Sequence, residues 1–285
     1  MTPVVAVVAP GAMGSAIGWR LNQNGVEVLT AFEGRSAESI QRAHAAGMTG
    51  IASAELVRAD IFLSIVPPGV AVSLAQEFAM HFSRKARKPV YVDCNAVNPD
   101  TACRIAAIIR DGGMDYVDGG IIGGPPKKGY DGPTLYLSGR HAGDVAVLSE
   151  FGLQCRVLHG GDFSASALKM SYAGITKGLT ALGSMMIIGA SRGEVADALR
   201  NELAHSQPML LSWFERQIPS MSPKAHRWVA EMEEIAGYLH EPQAGALFRA
   251  TAEFYAHIAE PPGVCDVEKL SGFFKSQKPK PADQS

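Results

Sequence analysis

The chain has 285 residues, of which 47% are hydrophobic and 19% charged, a globular composition with apolar content for two cores. A formal net charge of −2, with no basic block before a short Lys-containing tail, argues against nucleic acid as the main partner, because a phosphate backbone demands a basic stripe. Cys94, Cys103, Cys155 and Cys265 form no CxxC pair and no Cys/His ligand spacing, which excludes a disulfide framework or zinc site and fits the reducing cytoplasm.

The N-terminal apolar run lacks the basic flank of a signal peptide. Stretches such as GLTALGSMMIIGA fall short of the ~20 residues a bilayer needs, so a soluble, non-membrane protein is expected. In chain order, residues 4–9 (VVAVVA) read as a buried strand and 13–24 as a helix. A second strand over 26–32 is followed by the helical stretch SAESIQRAHAAG, and a third strand (59–66) is closed by Pro67 and Pro68. Residues 70–82 are helical, 89–95 a strand, and DTACRIAAIIRDGG its helix. Two more strands (114–122 and 133–139) and a helix over 141–151 complete an alternation that demands a parallel sheet with crossover helices.

After about residue 160 the β signals fade. Leu168, Tyr172, Ile175, Leu179, Leu182 and Met186 alternate steps of four and three, which predicts one long helix with a buried seam, capped by Asp162 or Ser164. Helical periodicity continues over 193–274, broken at Gln207–Pro208, 218–223 and 260–263, and residues 275–285 read as a disordered tail. The expected organisation is an α/β domain (1–162), a connecting helix (163–192) and an all-helical domain for substrate or dimerisation (193–274).

Pro10-Gly11-Ala12-Met13-Gly14 follows the first strand and opens the first helix. In a dinucleotide-binding turn, Gly11 would let the backbone approach the pyrophosphate and Gly14 would allow close helix–strand packing. The helix N-terminus would offer free N–H groups to the phosphates. Ala9 replaces the first glycine of the motif, and a purely structural turn is the alternative for such a short pattern. After the second strand the chain reads Phe32-Glu33-Gly34-Arg35-Ser36. Glu33 offers the carboxylate that binds the ribose hydroxyl of NAD, whereas Arg35 and Ser36 offer a guanidinium and hydroxyl to the 2′-phosphate of NADP. NADP is favoured, with NAD as the alternative and Arg35 as a solvated loop residue the plainer one.

Five segments in order, GAMG, IVPP, VDCNAVNPDT, DGGIIGGPP and ALKMSYAGITKG, resemble the beta-hydroxyacid dehydrogenase superfamily, which includes 6-phosphogluconate and 3-hydroxyisobutyrate dehydrogenases and imine reductases. GRS after the second strand and the RWVAEMEEIA segment look most like its phosphogluconate-dehydrogenase-like branch. The resemblance implies a Rossmann domain, a long interdomain helix and an all-α C-terminal domain, with a homodimer formed through the helical domains.

The resemblance also implies that Val66, Pro67 and Asn95 lie near the cofactor, with Asn95 close to nicotinamide and substrate. It implies that Gly123 and Gly124 grip a substrate carboxylate, and that Lys169 is the catalytic acid/base. A Lys desolvated between domains can have its pKa lowered enough to move a hydroxyl proton; a Lys reaching solvent from a buried helix is the alternative. The family's Lys-x-x-Asn-Asn is replaced here by Lys169-Met170-Ser171-Tyr172-Ala173, and its substrate-loop Ser by Ile122. Tyr172 could donate to the substrate or pack on the seam, and Lys177 could bind a substrate anion or be the true base. Asn95 could equally cap the turn at Asn98-Pro99. Lys127 and Lys128 read as a charged loop that could screen an anion, and Arg227 and His240 carry little weight.

The expected activity is hydride transfer between NADP and a small hydroxy acid or related alcohol. Imine reduction in the same cleft and a non-catalytic dinucleotide sensor are the competing readings. No metal is expected.

Overall fold

The computed structural model describes residues 2–275, so the tail expected to be disordered lies, from 276 onward, outside the described residues. Two compact units divide between Ser171 and Tyr172, inside the long helix.

The first unit is a doubly wound α/β domain. Its elements are β1 (Val4–Val8), α1 (Ala12–Gln23), β2 (Glu27–Ala31), α2 (Ala37–Ala45), β3 (Thr49–Ile51), β4 (Ile61–Ser64) and α3 (Pro68–Phe82). They continue with β5 (Val90–Asp93), α4 (Pro99–Asp111), β6 (Tyr116–Ile122), β7 (Thr134–Ser138), α5 (Ala142–Val145) and β8 (Gln154–Val157). The eight strands run in the order β3-β2-β1-β4-β5-β6-β7-β8, and every pair is parallel except β6–β7. Two apolar layers cover the sheet: one gathers Ile17, Leu21, Ala43, Val145 and Leu148, the other Leu74, Phe78, Phe82, Ile105 and Ile109. Strands buried on both faces explain the continuous apolar runs in the sequence.

Two short edge strands, β3 and β8, were not anticipated. Thr49-Gly50-Ile51 lies mostly exposed at the sheet's edge, and β8 alternates exposed and half-buried residues, so neither carries a buried apolar run. Of the helix expected over 141–151, only α5 is α-helical, and 146–151 tightens into a 3₁₀ turn.

The second unit takes up the rest of α6 (Ser164–Arg192), followed by α7 (Ala196–Ser206), α8 (Pro208–Gln217), α9 (Ala225–Tyr238), α10 (Pro242–Ala259) and α11 (Val264–Lys275). Pro208 and Pro242 each open a helix, where their missing N–H costs nothing. The expected buried seam of α6 is corrected: Tyr172, Ile175, Leu182 and Met186 are exposed. The buried face carries Ala173, Thr180, Ala181, Ser184, Ile187 and Ile188 instead. Small residues permit this, since Gly174 and Gly178 let the Phe248 ring approach and Gly183 leaves no room for a Cβ beside Phe214.

Among the described residues, α6 is the one helix long and apolar enough to cross a membrane, so its apolar window exceeds the length expected from sequence. Its first turn is hydrogen-bonded to strands of the sheet, which ties it into the folded domain.

Candidate functional site

The glycine loop is shaped by two opposite requirements. A Cβ on Gly14 would collide with the Ala9 carbonyl oxygen and come within 3.3 Å of Val7, so Gly14 is the close-packing glycine. Gly11 meets nothing within 4 Å and occupies the N-cap of α1, where no side chain caps the helix and the first turn holds no acid. Pro10 is buried, Met13 half-buried and Ala12 exposed. The result is an uncapped helix N-terminus that a diphosphate can approach over Gly11, which is the chemistry a dinucleotide needs there.

After β2 the two competing cofactor signals separate. The Glu33 carboxylate accepts hydrogen bonds from Ser53 N (3.0 Å) and Ser53 Oγ (3.2 Å), and backbone donors lower its pKa. Arg35 is half-buried, with its Nε unpartnered. The Ser36 hydroxyl is the N-cap of α2, accepting Ser39 N at 3.3 Å, so this hydroxyl already has a structural task.

Asn95 lies on the loop that follows β5. It is only 2% exposed, and its carboxamide is engaged at both ends: Oδ1 accepts Val66 N at 2.7 Å, and Nδ2 donates to Ser64 Oγ (2.9 Å) and Asp93 Oδ1 (2.6 Å). It therefore ties the ends of β4 and β5 beneath the loops, rather than presenting its side chain above them. The turn cap is not Asn95 but Asn98, which accepts Thr101 N at 2.9 Å. Pro67 is exposed at the start of α3. Asp93 is buried; desolvation raises its carboxyl to about 7, against hydrogen bonds from Asn95 and with the neighbouring Asp118 pushing it further up.

Neither Asp162 nor Ser164 caps α6. Its first amides are taken by the Gly161 carbonyl (from Ser164 N, 3.1 Å), Ser138 Oγ (from Ala165 N, 3.0 Å) and Asp118 Oδ2 (from Ser166 N, 2.9 Å). Ser166 Oγ donates to Asp118 Oδ1 at 2.5 Å and Ser138 Oγ to Asp118 Oδ2 at 2.9 Å. One turn further along, the half-buried Lys169 donates from Nζ to the Ile121 carbonyl at 2.9 Å. Gly120 makes this approach possible, because a Cβ there would stand 2.7 Å from the Ala165 carbonyl oxygen.

Beyond β6 the chain enters the loop of Gly123 and Gly124, both exposed. Gly123 has φ +129° and a Cβ there would lie 2.8 Å from Pro133 Cα, two reasons for glycine at one position. Lys127 and Lys128 are exposed, and Arg20 Nη2 holds this loop through the Tyr130 carbonyl at 2.7 Å.

The first unit thus brings Lys169 to the carboxyl end of β6, where open α/β sheets place ligands. In the second unit Lys177 pairs with Glu231, its Nζ stands 5.1 Å over the Trp228 ring, and Tyr255 Oη donates to its carbonyl at 2.6 Å. Tyr172 is exposed rather than packed, as are Arg227 and His240. No group of three metal-ligating side chains occurs among the described residues. Asp118, Ser138 and Glu231 went unread in the sequence; the signal for Asp118 was an acidic residue inside a fully buried strand.

Residues 4–149 match the NAD binding domain of 6-phosphogluconate dehydrogenase, and residues 190–258 match a domain of unknown function (DUF1932). An uncharacterized 28.5 kDa protein of Methanothermus fervidus is 31% identical over 159 residues, 55% of this chain and 59% of that protein's length. Among solved structures, the conserved protein MTH1747, described as similar to 3-hydroxyacid dehydrogenases, is 26% identical with a TM-score of 0.70, over 93% of this chain and 98% of that one. Mycobacterium tuberculosis 3-hydroxyisobutyrate dehydrogenase with L-serine shares the fold at 16% identity and a TM-score of 0.71, covering 95% of this chain and 99% of that one. With the glycine loop, the sheet order and a family match over half its length in agreement, the chain belongs to the beta-hydroxyacid dehydrogenase superfamily.

Proposed function

We propose that this protein is an NADP-dependent oxidoreductase acting on a small hydroxy acid or related alcohol, with Lys169 as the acid/base. The observation that carries the reading is Lys169 Nζ, which donates to the Ile121 carbonyl at 2.9 Å at the carboxyl end of β6, close in sequence to the exposed Gly123–Gly124 turn. The residues present fit a dinucleotide: Gly11 leaves open space over an uncapped helix, and Gly14 occupies a position where no Cβ fits. Pro10, Gly11, Ala12, Met13 and Gly14 would hold the pyrophosphate, Arg35 the 2′-phosphate, and Val66 and Pro67 the nicotinamide side. When bound, the nicotinamide supplies or accepts the hydride.

The chain's own part is proton transfer and positioning. In oxidation the substrate carbon gives up its hydride while the hydroxyl proton passes to the neutral Lys169 amine; in reduction the ammonium so formed returns the proton to the carbonyl oxygen. Backbone N–H groups of Gly123 and Gly124 grip the substrate carboxylate. Asn95 acts as a strut that fixes the β4 and β5 loop ends, since both ends of its carboxamide are engaged.

Two observations favour NADP. Glu33, the residue that would select NAD, is occupied by Ser53, and the Arg35 Nε lacks a partner. Lys169 is preferred to Lys177 because Lys177 already pairs with Glu231. Cytoplasmic operation and a homodimer are part of the proposal, the latter supported by the exposed apolar side chains Ile175, Leu182 and Met186 on α6.

The test is a panel of hydroxy acids, aldehydes and imines followed by NAD(P)H absorbance, with Lys169→Ala beside the wild type. Turnover of a hydroxy acid that Lys169→Ala loses, with nucleotide binding retained, is expected. Turnover restricted to imines, or unaffected in Lys169→Ala, overturns the assignment.

A further inference from the structure

From β4 to β7 one level of the sheet is polar although every residue on it is buried. Ser64, Asp93, Asp118 and Ser138 are register partners on β4, β5, β6 and β7, and none exceeds 1% exposure. Burying an ionisable group in a sheet core is costly unless its hydrogen-bonding capacity is met. Asp118 meets it mainly from the helix that carries Lys169.

Three donors converge on the Asp118 carboxylate, and two come from one residue of α6, the amide and hydroxyl of Ser166. The third, Ser138 Oγ, accepts the amide of Ala165 in turn, so two successive helix N–H groups are held by one strand pair. A carboxylate facing a helix N-terminus is favoured by the partial positive charge there. The approach is close, because Gly120 has no space for a Cβ against Ala165. Lys169 leaves the same helix one turn later and reaches Ile121, three residues after Asp118 on the same strand. Strand and helix are therefore fastened at two points, a buried carboxylate latch and the Lys169 Nζ–Ile121 carbonyl hydrogen bond.

We propose that Asp118 is a positioning residue for Lys169, its carboxylate fixing the first turn of α6 so that Nζ stands at the end of β6. This rests on the reading of Lys169 as the acid/base. Asp118 does not touch substrate or cofactor; it acts through the helix. An asparagine of the same shape keeps acceptor capacity on one oxygen only and places an NH₂ group against the Ser donors, so it loosens the latch without opening a cavity.

The experiment uses the full chain, reductively methylated with ¹³C-formaldehyde, with the Lys169 dimethylamino resonance assigned by Lys169→Arg and followed by NMR against pH. In Asp118→Asn the Lys169 resonance and its titration move, while the Lys177 resonance, held by Glu231, stays in place. With a substrate from the panel, kcat falls about 10- to 100-fold, while the KM for nucleotide stays within about twofold, as displacement of an acid/base by a fraction of an ångström predicts. Should Asp118→Asn fail to fold, Ser166→Ala removes one of the three donors and shifts the Lys169 resonance in the same direction by less. A folded Asp118→Asn or Ser166→Ala with an unmoved Lys169 resonance overturns the latch. If the resonance moves yet no substrate is turned over by wild type, the latch stands and the proposed activity falls.

Discussion

Asp93 and Asp118 are register partners on adjacent parallel strands, two buried carboxyl groups side by side in the core of the sheet. Tyr91, Tyr116 and Cys94 surround them, and burial pushes the phenols and the thiol up, so these stay neutral. Asn95 and Ser64 complete the surroundings of Asp93 without charge. Burial raises both carboxyls, and Asp93 reaches about 7.

A folded-state pKa above the unfolded carboxylate value of ~3.9 stabilises the protein fully only below that value. The contribution is lost as pH rises toward 7, with a slope on the order of 1 kcal/mol per pH unit. Urea unfolding between pH 4.5 and 7.5 is expected to show Asp93→Asn gaining on wild type as pH rises. A constant difference between the two proteins contradicts the shared-burial account.

The two glycines of the nucleotide loop separate folding from binding. Gly14→Ala meets the Ala9 carbonyl and is expected to cost about 1–3 kcal/mol of stability, as overpacking does, along with nucleotide affinity. Gly11→Ala has open space and negative φ, so stability changes by no more than about 0.5 kcal/mol while nucleotide affinity falls about tenfold or more. Thermal unfolding with and without NADP measures both. Equal destabilisation by the two substitutions contradicts the distinction.

Arg35→Ala is expected to weaken NADP about tenfold or more and leave NAD nearly unchanged, because a guanidinium–phosphate contact is charge-assisted and NAD lacks the phosphate. Glu33→Ala is expected to release Ser53 from its two hydrogen bonds with little effect on cofactor choice. Titrations with both nucleotides check this, and an unchanged NADP affinity in Arg35→Ala removes the proposed 2′-phosphate site.

Ile175 and Leu182 stand 70% and 54% exposed on α6, away from its buried face. Large apolar side chains clustered in water mark association surfaces. The double substitution Ile175→Glu/Leu182→Glu is expected to leave the fold intact and convert a dimer to a monomer in sedimentation analysis. A wild type that sediments as a monomer, or a variant that remains dimeric, refutes that face.

Much of the α/β unit was legible because strands buried on both sides read as near-continuous apolar runs, as Val4–Val8 does and as β4 and β5 do up to their last residues, Ser64 and Asp93. The edge strands β3 and β8 escaped for the converse reason, as they bury little. Periodicity located α6 but mistook its face. It weighs large apolar residues, whereas Gly174, Gly178 and Gly183 admit Phe248 and Phe214 and so decide which side is buried.

The glycine loop and Lys169 were found from local pattern and family resemblance, since both are short-range features of one segment. Tertiary structure alone decided the partners: Glu33 with Ser53, Asn95 with Val66 and Asp93, Lys177 with Glu231, and Asp118 with Ser166. These pairs lie 2 to 54 residues apart in the chain, and all but the shortest, Asn95 with Asp93, are at least 20 apart. Linear order holds no information on which acceptor a buried donor will meet. Residue types and their spacing determined a dinucleotide-binding sheet and a helix bearing a candidate base; sheet register and helix packing determined which polar groups are engaged and which remain open to a ligand.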